Sequence, residues 1–281
     1  MELLVTSEWL NQHINDTDLV LLDCSVTTIP QEDGGFHNVS ARPEYETGHL
    51  PHAGFADLKG DLCDTNSPVE FALPTPEQFC QTMSALGVGD DSRVVLYDTS
   101  YTAWAARVWW MLRWVGFDQA AILDGGLAGW TGQGHPLSLD PVNQPVRQLT
   151  PKPRPELIAD HDEVLACIDN DAVTLIDTFP EMYYRGEVTA YARPGHITSA
   201  INIDTLGLFD KTGHFRAQDE LADMHNNLDH HARMITYCGG GIAASANAFV
   251  MTQLGFENVA VYTDSLQVWA SDPGNPMVVE R

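Results

Sequence analysis

Short apolar runs alternate with longer segments of helical character along the whole chain. Few polar residues interrupt these runs, which is typical of parallel strands buried on both faces of a sheet. They read LVLLD, RVVLYD and AAILD in the first half, and VTLID, RMITYC and VAVYT in the second. The apolar segment WAARVWWMLRWVGF is expected to be a helix over one such face. The pattern therefore predicts an α/β fold, with mainly parallel sheets covered by helices on both faces.

The second half of the chain repeats the first half in the same order. The matching residues lie 139 to 147 positions apart: Tyr97 and Tyr237, Gly116 and Gly255, Trp130 and Trp269, and His49 and His196. A period of this length indicates one domain copied once. Between the copies, the stretch DPVNQPVRQLTPKPRP is rich in proline and favours an extended connection. We expect a first domain at residues 1–140, a linker at 141–155 and a second domain at 156–281.

Charge and cysteine content restrict the partners and the compartment. The 281 residues include 14 basic and 39 acidic side chains, a formal net charge of −25, which argues against nucleic acid or an anionic membrane as a partner. The five cysteines form no CxxC pair, and no His/Cys cluster has metal-ligand spacing, so reduced thiols and no metal or other cofactor are expected. The N-terminus lacks the pattern of a signal peptide, and no apolar run is long enough to span a membrane. These features predict a cytoplasmic protein.

One cysteine lies at a position suited to chemistry. Cys238 directly follows the predicted strand RMITY and precedes the helix-like segment AASANAFVMTQLG. Ligands of parallel α/β sheets gather at the carboxyl ends of the strands. The three glycines at 239–241 allow a turn whose N–H groups point inward and hold an anion at a helix N-terminus, which favours the thiolate. Cys238 is therefore a candidate nucleophile, and the alternative is an inert buried thiol beside a tight turn.

Several segments resemble those of one family, the tandem-domain rhodaneses, which are thiosulfate and 3-mercaptopyruvate sulfurtransferases. They are ARPEYETGHLPHAGFADL, RVVLYD, AARVWWMLRWVGF, LDGGLAGW and PGHITSAIN, and they occur in the family's order over nearly the whole chain. The resemblance implies two rhodanese-like domains and a catalytic cysteine in the second. Cys238 falls on that position, where it would accept a sulfane sulfur as a persulfide and pass it on. The matching position in the first copy is Asp98, so the first domain is expected to be non-catalytic.

The loop CGGGIA is expected to hold the persulfide. Its predicted cradle consists of Gly239, Gly240, Gly241, Ile242 and Ala243. The six-residue length resembles the sulfurtransferase loop, whereas related dual-specificity phosphatases have a longer loop that ends in an arginine. A phosphate dianion needs such a charged donor, so a phosphatase is disfavoured. The loop is more similar to the mercaptopyruvate type, CGSGVTA, than to the thiosulfate type, CRKGVT, although the family's hydroxyl residues are missing at two positions, 240 and 243.

Donor binding is predicted from the residues that match, or replace, the family's charged and polar positions. Arg185 and Arg193 are expected to clamp a carboxylate, and the alternative for each is an ordinary ion pair. Ser265 matches a serine of the family and is a third candidate for substrate binding. Two residues depart from the family: Tyr183 stands where an arginine is usual, and Phe71 stands where the mercaptopyruvate branch usually has a histidine.

Two functions remain open from the sequence. In the first, the protein is a sulfurtransferase that moves a sulfane sulfur from a small anionic donor, with 3-mercaptopyruvate favoured over thiosulfate. The acceptor would be thiophilic: cyanide, a thiol or a thioredoxin-like protein. In the second, the protein is a catalytically weak rhodanese that carries sulfur for, or binds to, a protein partner. The missing hydroxyls, together with Phe71 and Tyr183, are the reason for the second.

Overall fold

The first half of the chain forms seven strands and five helices among the residues described in a computed structural model, 1–32 and 35–280. The strands are β1 (Leu4–Val5), β2 (Leu19–Asp23), β3 (Val26–Pro30), β4 (Phe36–Ser40), β5 (Gly54–Phe55), β6 (Arg93–Tyr97) and β7 (Ala120–Leu123). The helices are α1 (Ser7–His13), α2 (Arg42–Thr47), α3 (Pro76–Ala85), α4 (Ala103–Trp114) and α5 (Gly126–Gly132). The three apolar runs of this half coincide with β2, β6 and β7, as predicted.

The second half has the same alternation. Its strands are β8 (Ile158–Ala159), β9 (Val173–Asp177), β10 (His196–Ile197), β11 (Ile201–Asn202), β12 (Arg233–Tyr237), β13 (Val259–Tyr262) and β14 (Met277–Val278). Its α-helices are α6 (His161–Cys167), α7 (Glu181–Tyr184), α8 (Gln218–Met224), α9 (Ile242–Gln253) and α10 (Ser265–Trp269), with short 3-10 turns at Pro155–Leu157 and Thr205–Leu208. The predicted strands VTLID, RMITYC and VAVYT correspond to β9, β12 and β13.

Each half builds one five-stranded parallel sheet with the same strand order. The first sheet runs β1-β7-β6-β2-β5 and the second runs β8-β13-β12-β9-β11, so that β6 and β12 occupy equivalent central positions. Two small antiparallel pairs, β3 with β4 and β10 with β14, lie outside these sheets. The shared order confirms the predicted α/β fold of two similar domains.

Helices cover both faces of each sheet because the central strands are apolar on both sides. In the first sheet, one face packs against Leu10 of α1 and Trp130 of α5, and the other packs against α3 and α4. In the second sheet, Trp269 of α10 lies on one face, and Phe249 of α9 lies on the other. Within the described residues, no helix is long and apolar enough to cross a membrane.

The two domains share one apolar core through α4 and α9, which pack along each other. The Trp109 and Phe249 rings meet edge to face with their centroids 4.8 Å apart. Because β6 and β12 lead directly into these two helices, the carboxyl ends of both central strands open toward the cleft between the domains. The fold therefore places the residues after β12 next to the first domain.

Candidate active site

Cys238 lies at the carboxyl end of the central strand β12, and α9 begins four residues later at Ile242. The residue is 3% exposed. The Gly241 N–H donates a hydrogen bond to the Cys238 Sγ at 3.2 Å. This donor and the positive end of the α9 dipole both favour an anionic sulfur.

The loop after Cys238 is fixed by α10. The carbonyls of Cys238 and Gly239 accept hydrogen bonds from the backbone N–H groups of Leu266 and Gln267, each at 3.0 Å. Gly241 has a φ of +81°, which favours glycine. A Cβ on Gly239 would overlap the Tyr191 hydroxyl. Two of the three glycines are therefore required by the backbone turn and by close packing.

A cleft of about 160 Å³ opens in front of Cys238, and both domains line it. Four predicted cradle residues, Gly239, Gly240, Ile242 and Ala243, lie in its wall with the cysteine. Six aromatic side chains form much of the remaining wall: Phe36, Phe71, Tyr101, Trp104, Phe179 and Tyr191. Among the described residues that line the cleft, the only carboxylate is that of Glu70, and neither lysine nor arginine occurs. Aromatic side chains are thus the largest group in the lining, beside the polar residues Thr28, Asn38, Glu70 and Gln267.

A larger hollow, of about 580 Å³, lies on the first domain between α2 and the segment at 139–144. None of the described residues that line it is a cysteine. None of these lining residues directly follows β6 or β12 either. We therefore place the candidate active site in the smaller cleft, which the candidate nucleophile Cys238 lines.

Two tyrosines of this cleft were not singled out from the sequence. Burial raises the pKa values of Tyr101 and Tyr191 well above their ordinary value, and the negative charge of Cys238 adds to the effect. Both hydroxyls therefore remain protonated at neutral pH and are available as hydrogen-bond donors. Tyr101 lies just before α4, and Tyr191 lies two residues before Arg193, so position in the sequence gave only an indirect signal.

The two arginines of the predicted clamp lie outside the cleft lining. Arg193 donates hydrogen bonds to four backbone carbonyls, at distances of 2.6–3.1 Å: those of Trp269, Ala270, Asp272 and Asn275. Arg185 pairs with Glu181 at 2.7 Å and with Glu280 at 3.8 Å, and its side chain is 48% exposed. Neither side chain lines the cleft. Arg193 instead ties the chain after α10 to the domain, and Arg185 takes part in surface ion pairs.

Ser265 is close to the nucleophile but does not line the cleft. It is fully buried, with a φ of +50° at the start of α10. Its Oγ accepts a hydrogen bond from the Cys238 N–H at 3.2 Å and donates one to the Tyr262 carbonyl at 2.7 Å. Ser265 therefore holds the backbone of Cys238 in place.

Phe71 and Tyr183, the two residues that depart from the family pattern, both make aromatic contacts near the cleft. Phe71 has a φ of +57°, and its ring lies against that of Trp104 with the centroids 5.2 Å apart. Tyr183 stacks on Phe179, with the centroids 5.1 Å apart. Hydrophobic contacts thus stand where the family usually has a histidine and an arginine. One further charged residue, Arg107, lies buried behind the loop and was also missed, because its sequence neighbours in α4 are apolar.

Comparisons with known proteins agree with this architecture. A rhodanese-like domain model matches residues 6–133 and again 160–272. The chain is 31% identical to a 3-mercaptopyruvate sulfurtransferase of Escherichia coli (strain K12), over 97% of this chain and 96% of that protein. It is 27% identical to a thiosulfate sulfurtransferase of Gallus gallus, over 95% and 92%. The crystal structure of SseA, a 3-mercaptopyruvate sulfotransferase from Escherichia coli, superposes with a TM-score of 0.83 at 31% identity, covering 94% of this chain and 99% of that one. This chain therefore belongs to the rhodanese family.

Proposed function

We propose that the protein is a sulfurtransferase that carries sulfur on Cys238. The observation that supports this most directly is the position of the Cys238 Sγ, at the floor of an interdomain cleft and 3.2 Å from the Gly241 N–H at the start of α9. A thiolate at a helix N-terminus is a good nucleophile, and a persulfide anion needs the same surroundings. The Cys238 persulfide then lies in the cradle formed by Gly239, Gly240, Gly241, Ile242 and Ala243.

The chemistry proceeds in two steps that balance in atoms and electrons. The Cys238 thiolate attacks the sulfur of 3-mercaptopyruvate, the S–S bond forms, and the C–S bond breaks. The carbon fragment leaves with the bonding electron pair as an enolate and takes up a proton to become pyruvate. The thiolate of an acceptor then attacks the outer sulfur, and Cys238 leaves as the regenerated thiolate. Neither step needs a metal or an external oxidant.

A donor with one negative charge suits this cleft better than a dianion. The one carboxylate of the described lining, Glu70, is paired with Lys59 at 2.5 Å, and the loop itself carries no charged side chain. Thiosulfate has two negative charges and would require charge-assisted donors. The 3-mercaptopyruvate type is therefore the preferred donor class. For the acceptor, we propose a thiophile such as cyanide, a small thiol or a thioredoxin-like protein.

We also infer the organisation and the compartment of the protein. The proposed domains are residues 1–140 and 156–281, with a linker at 141–155. In support, residues 141–154 contain neither helix nor strand, and the two family matches fall inside the proposed domains. All five cysteines are free thiols, which agrees with a reducing cytoplasm.

The experiment that tests the function is intact-mass measurement after exposure to 3-mercaptopyruvate or to thiosulfate, followed by cyanide. We expect the wild type to gain one sulfur atom from 3-mercaptopyruvate and to lose it to cyanide, while Cys238→Ser gains none. Cys63→Ser is the matched control, because Cys63 is the one cysteine among the described residues that is not buried. A sulfur adduct retained by Cys238→Ser would overturn the assignment. An adduct that only a protein donor produces would favour a sulfur carrier.

A further inference from the structure

Arg107 is a charged side chain in the middle of the apolar interface between the domains. It belongs to α4 of the first domain and is 1% exposed. Its Nη2 donates a hydrogen bond to the Phe71 carbonyl at 3.0 Å. Its Nε and Nη1 have no hydrogen-bond partner among the described residues. An ionised group buried with so few partners is costly, so an anion nearby must compensate for it.

The guanidinium lies directly behind the loop that holds the Cys238 sulfur. A Cβ on Gly241 would be 2.9 Å from the Arg107 Nη1. The N–H of the same glycine donates to the Cys238 Sγ at 3.2 Å. Gly241 is therefore next to both the cation and the sulfur, and a side chain at this position would meet the guanidinium.

The charges around Arg107 identify the compensating anion. Burial lowers the pKa of Arg107 to about 10, so the side chain is still protonated at neutral pH. The strongest opposing effect is that of a negative charge on Cys238, followed by Asp264 and Cys63. Asp264 lies just before α10, and Cys63 lies in the first domain. The candidate nucleophile is therefore the main electrostatic partner of this buried cation.

We propose that Arg107 is the cation, supplied by the first domain, that stabilises the anionic sulfur of Cys238 as a thiolate and as a persulfide. The proposal rests on the function proposed above and extends it, because it assigns an electrostatic role to the domain that lacks a nucleophile. Arg107 acts through the loop without touching the substrate, so it is a positioning residue. The guanidinium is next to Gly241, whose N–H contacts the sulfur, and a charge in such a buried site is poorly screened.

The other ionisable groups that face Cys238 do not replace this cation. Tyr101, before α4, and Tyr191, in the loop before β10, are neutral phenols at ordinary pH. Glu70 in the cleft wall and Asp264 just before α10 are acidic, so neither can stabilise a negative charge on the Cys238 sulfur. Lys59 is engaged by Glu70. Arg107 and the α9 N-terminus are left to stabilise the negative sulfur.

The same guanidinium also has a structural role that the test must separate from the electrostatic one. Its bond to the Phe71 carbonyl holds a residue whose φ is +57° and whose ring lines the cleft. A neutral substitution can therefore lower stability and disturb the cleft without any effect on the charge of the sulfur. A useful readout must report the ionisation of Cys238 alone.

The test measures the rate of Cys238 alkylation by iodoacetamide as a function of pH, without any sulfur donor and with the modified peptide identified by mass. The variants are Arg107→Met, which is neutral and of similar length, and Arg107→Lys, which keeps the charge. Arg113→Met is the matched control, because Arg113 lies half-buried on the same helix, with its guanidinium over the Trp109 ring at 5.1 Å. Thermal unfolding of each variant reports the structural cost separately.

We expect the midpoint of the alkylation profile to rise by about one pH unit or more in Arg107→Met, which is a tenfold loss of thiolate at neutral pH. Arg107→Lys and Arg113→Met should keep a midpoint near that of the wild type. An unchanged midpoint in a folded Arg107→Met protein overturns the proposal. The readout needs no sulfur transfer, so a shifted midpoint without a cyanide-labile adduct would refute the proposed function and leave this inference standing.

If Arg107→Met does not fold, the anion can be removed instead of the cation. Urea unfolding of the wild type and of Cys238→Ser is then compared from pH 6 to pH 10. A thiolate stabilised by Arg107 makes the wild type gain stability over Cys238→Ser as the pH rises through the thiol titration. A stability difference that stays constant or falls over that range overturns the proposal.

Discussion

The side-chain amide of Gln267, in the second domain, forms two hydrogen bonds with the backbone of Glu70, in the first. Its Oε1 accepts from the Glu70 N–H at 3.2 Å, and its Nε2 donates to the Glu70 carbonyl at 2.9 Å. The backbone N–H of Gln267 also donates to the Gly239 carbonyl at 3.0 Å. One residue of α10 therefore joins the loop after Cys238 to the opposite wall of the cleft.

Replacing Gln267 with alanine should widen the cleft and weaken donor binding. Two hydrogen bonds are lost, at about 1 kcal/mol each, while the Glu70 backbone becomes free to move. We expect the KM for 3-mercaptopyruvate to rise several-fold, with a smaller fall in kcat, in steady-state assays. Gln81→Ala, at an exposed position on α3, is the control. Equal kinetics in both variants would mean that this contact does not position the wall.

Asp98 fills the first domain's equivalent of the sulfur site. It directly follows β6, as Cys238 follows β12, and it is 1% exposed. Its carboxylate accepts four backbone hydrogen bonds at 2.9–3.1 Å, from the N–H groups of Ser100, Thr102, Trp104 and Ala105. The turn that is proposed to hold an external sulfur in the second domain thus has a counterpart in the first domain that binds its own carboxylate.

Removing this carboxylate should destabilise the protein strongly. In Asp98→Ala, four buried N–H groups lose their acceptor, and at about 1 kcal/mol or more each the loss should exceed 3 kcal/mol in urea unfolding. Asp98→Asn, which keeps one acceptor oxygen, should lose less. Asp91→Ala, at an exposed position just before β6, should remain close to the wild type. A small loss in Asp98→Ala would show that water reaches these donors.

The sequence predicts the fold and the nucleophile because both depend on local patterns. A run such as RMITY is apolar on both sides, so its burial between two layers of helices follows from the residues themselves. Cys238 and its glycines are adjacent in the chain, so the turn, the helix start and the thiol can be identified together. The repeat then predicts the same topology twice, and the two strand orders agree.

The substrate-binding residues could not be identified in the same way, because their partners are distant in the chain. Arg193 reaches carbonyls 76 to 82 positions away, and an arginine in a sequence does not show whether it will meet a ligand or a backbone oxygen. Gln267 and Glu70 are 197 positions apart. Arg107 has a role only once α4 packs on α9. Contacts between segments that are distant in the chain therefore decide the details of this site.

A cation introduced into the loop should change donor preference. A side chain at Gly240 would begin 3.2 Å from the Gln267 amide and next to the cleft, and Gly240 has no positive φ that would oppose it. Gly240→Arg should therefore raise kcat/KM for thiosulfate relative to 3-mercaptopyruvate, by about tenfold for a charge-assisted contact of about 1.4 kcal/mol. Gly240→Met controls for bulk. An identical ratio in both variants would place donor selection elsewhere in the cleft.

The buried carboxyl of Asp177 should make the stability of the protein fall between pH 4 and pH 7. Burial raises the pKa of Asp177, at the end of β9, from 3.8 to about 7. The folded chain keeps a proton that the unfolded chain releases, so the stabilisation is complete below pH 4 and is lost as the pH rises to 7. The interval corresponds to a loss on the order of 4 kcal/mol. In urea unfolding, Asp177→Asn should lack this part of the pH dependence, and the exposed Asp171→Asn should retain it. Parallel curves for all three proteins would contradict the assignment.

Two glycines at the ends of α9 allow the effect of backbone strain on stability to be measured apart from the effect of close packing. Gly241, before the helix, and Gly255, after it, have φ values of +81° and +85°. A Cβ on Gly241 would approach the Arg107 Nη1 at 2.9 Å and the Thr263 backbone at 3.1 Å, whereas a Cβ on Gly255 would meet open space. Both alanine variants should lose about 1 kcal/mol through strain. Gly241→Ala should lose clearly more stability, and most sulfur transfer as well, because it displaces the guanidinium and the N–H that holds the Cys238 sulfur. Urea unfolding and persulfide formation measure the two effects, and equal losses in both variants would mean that strain alone requires the glycine at 241.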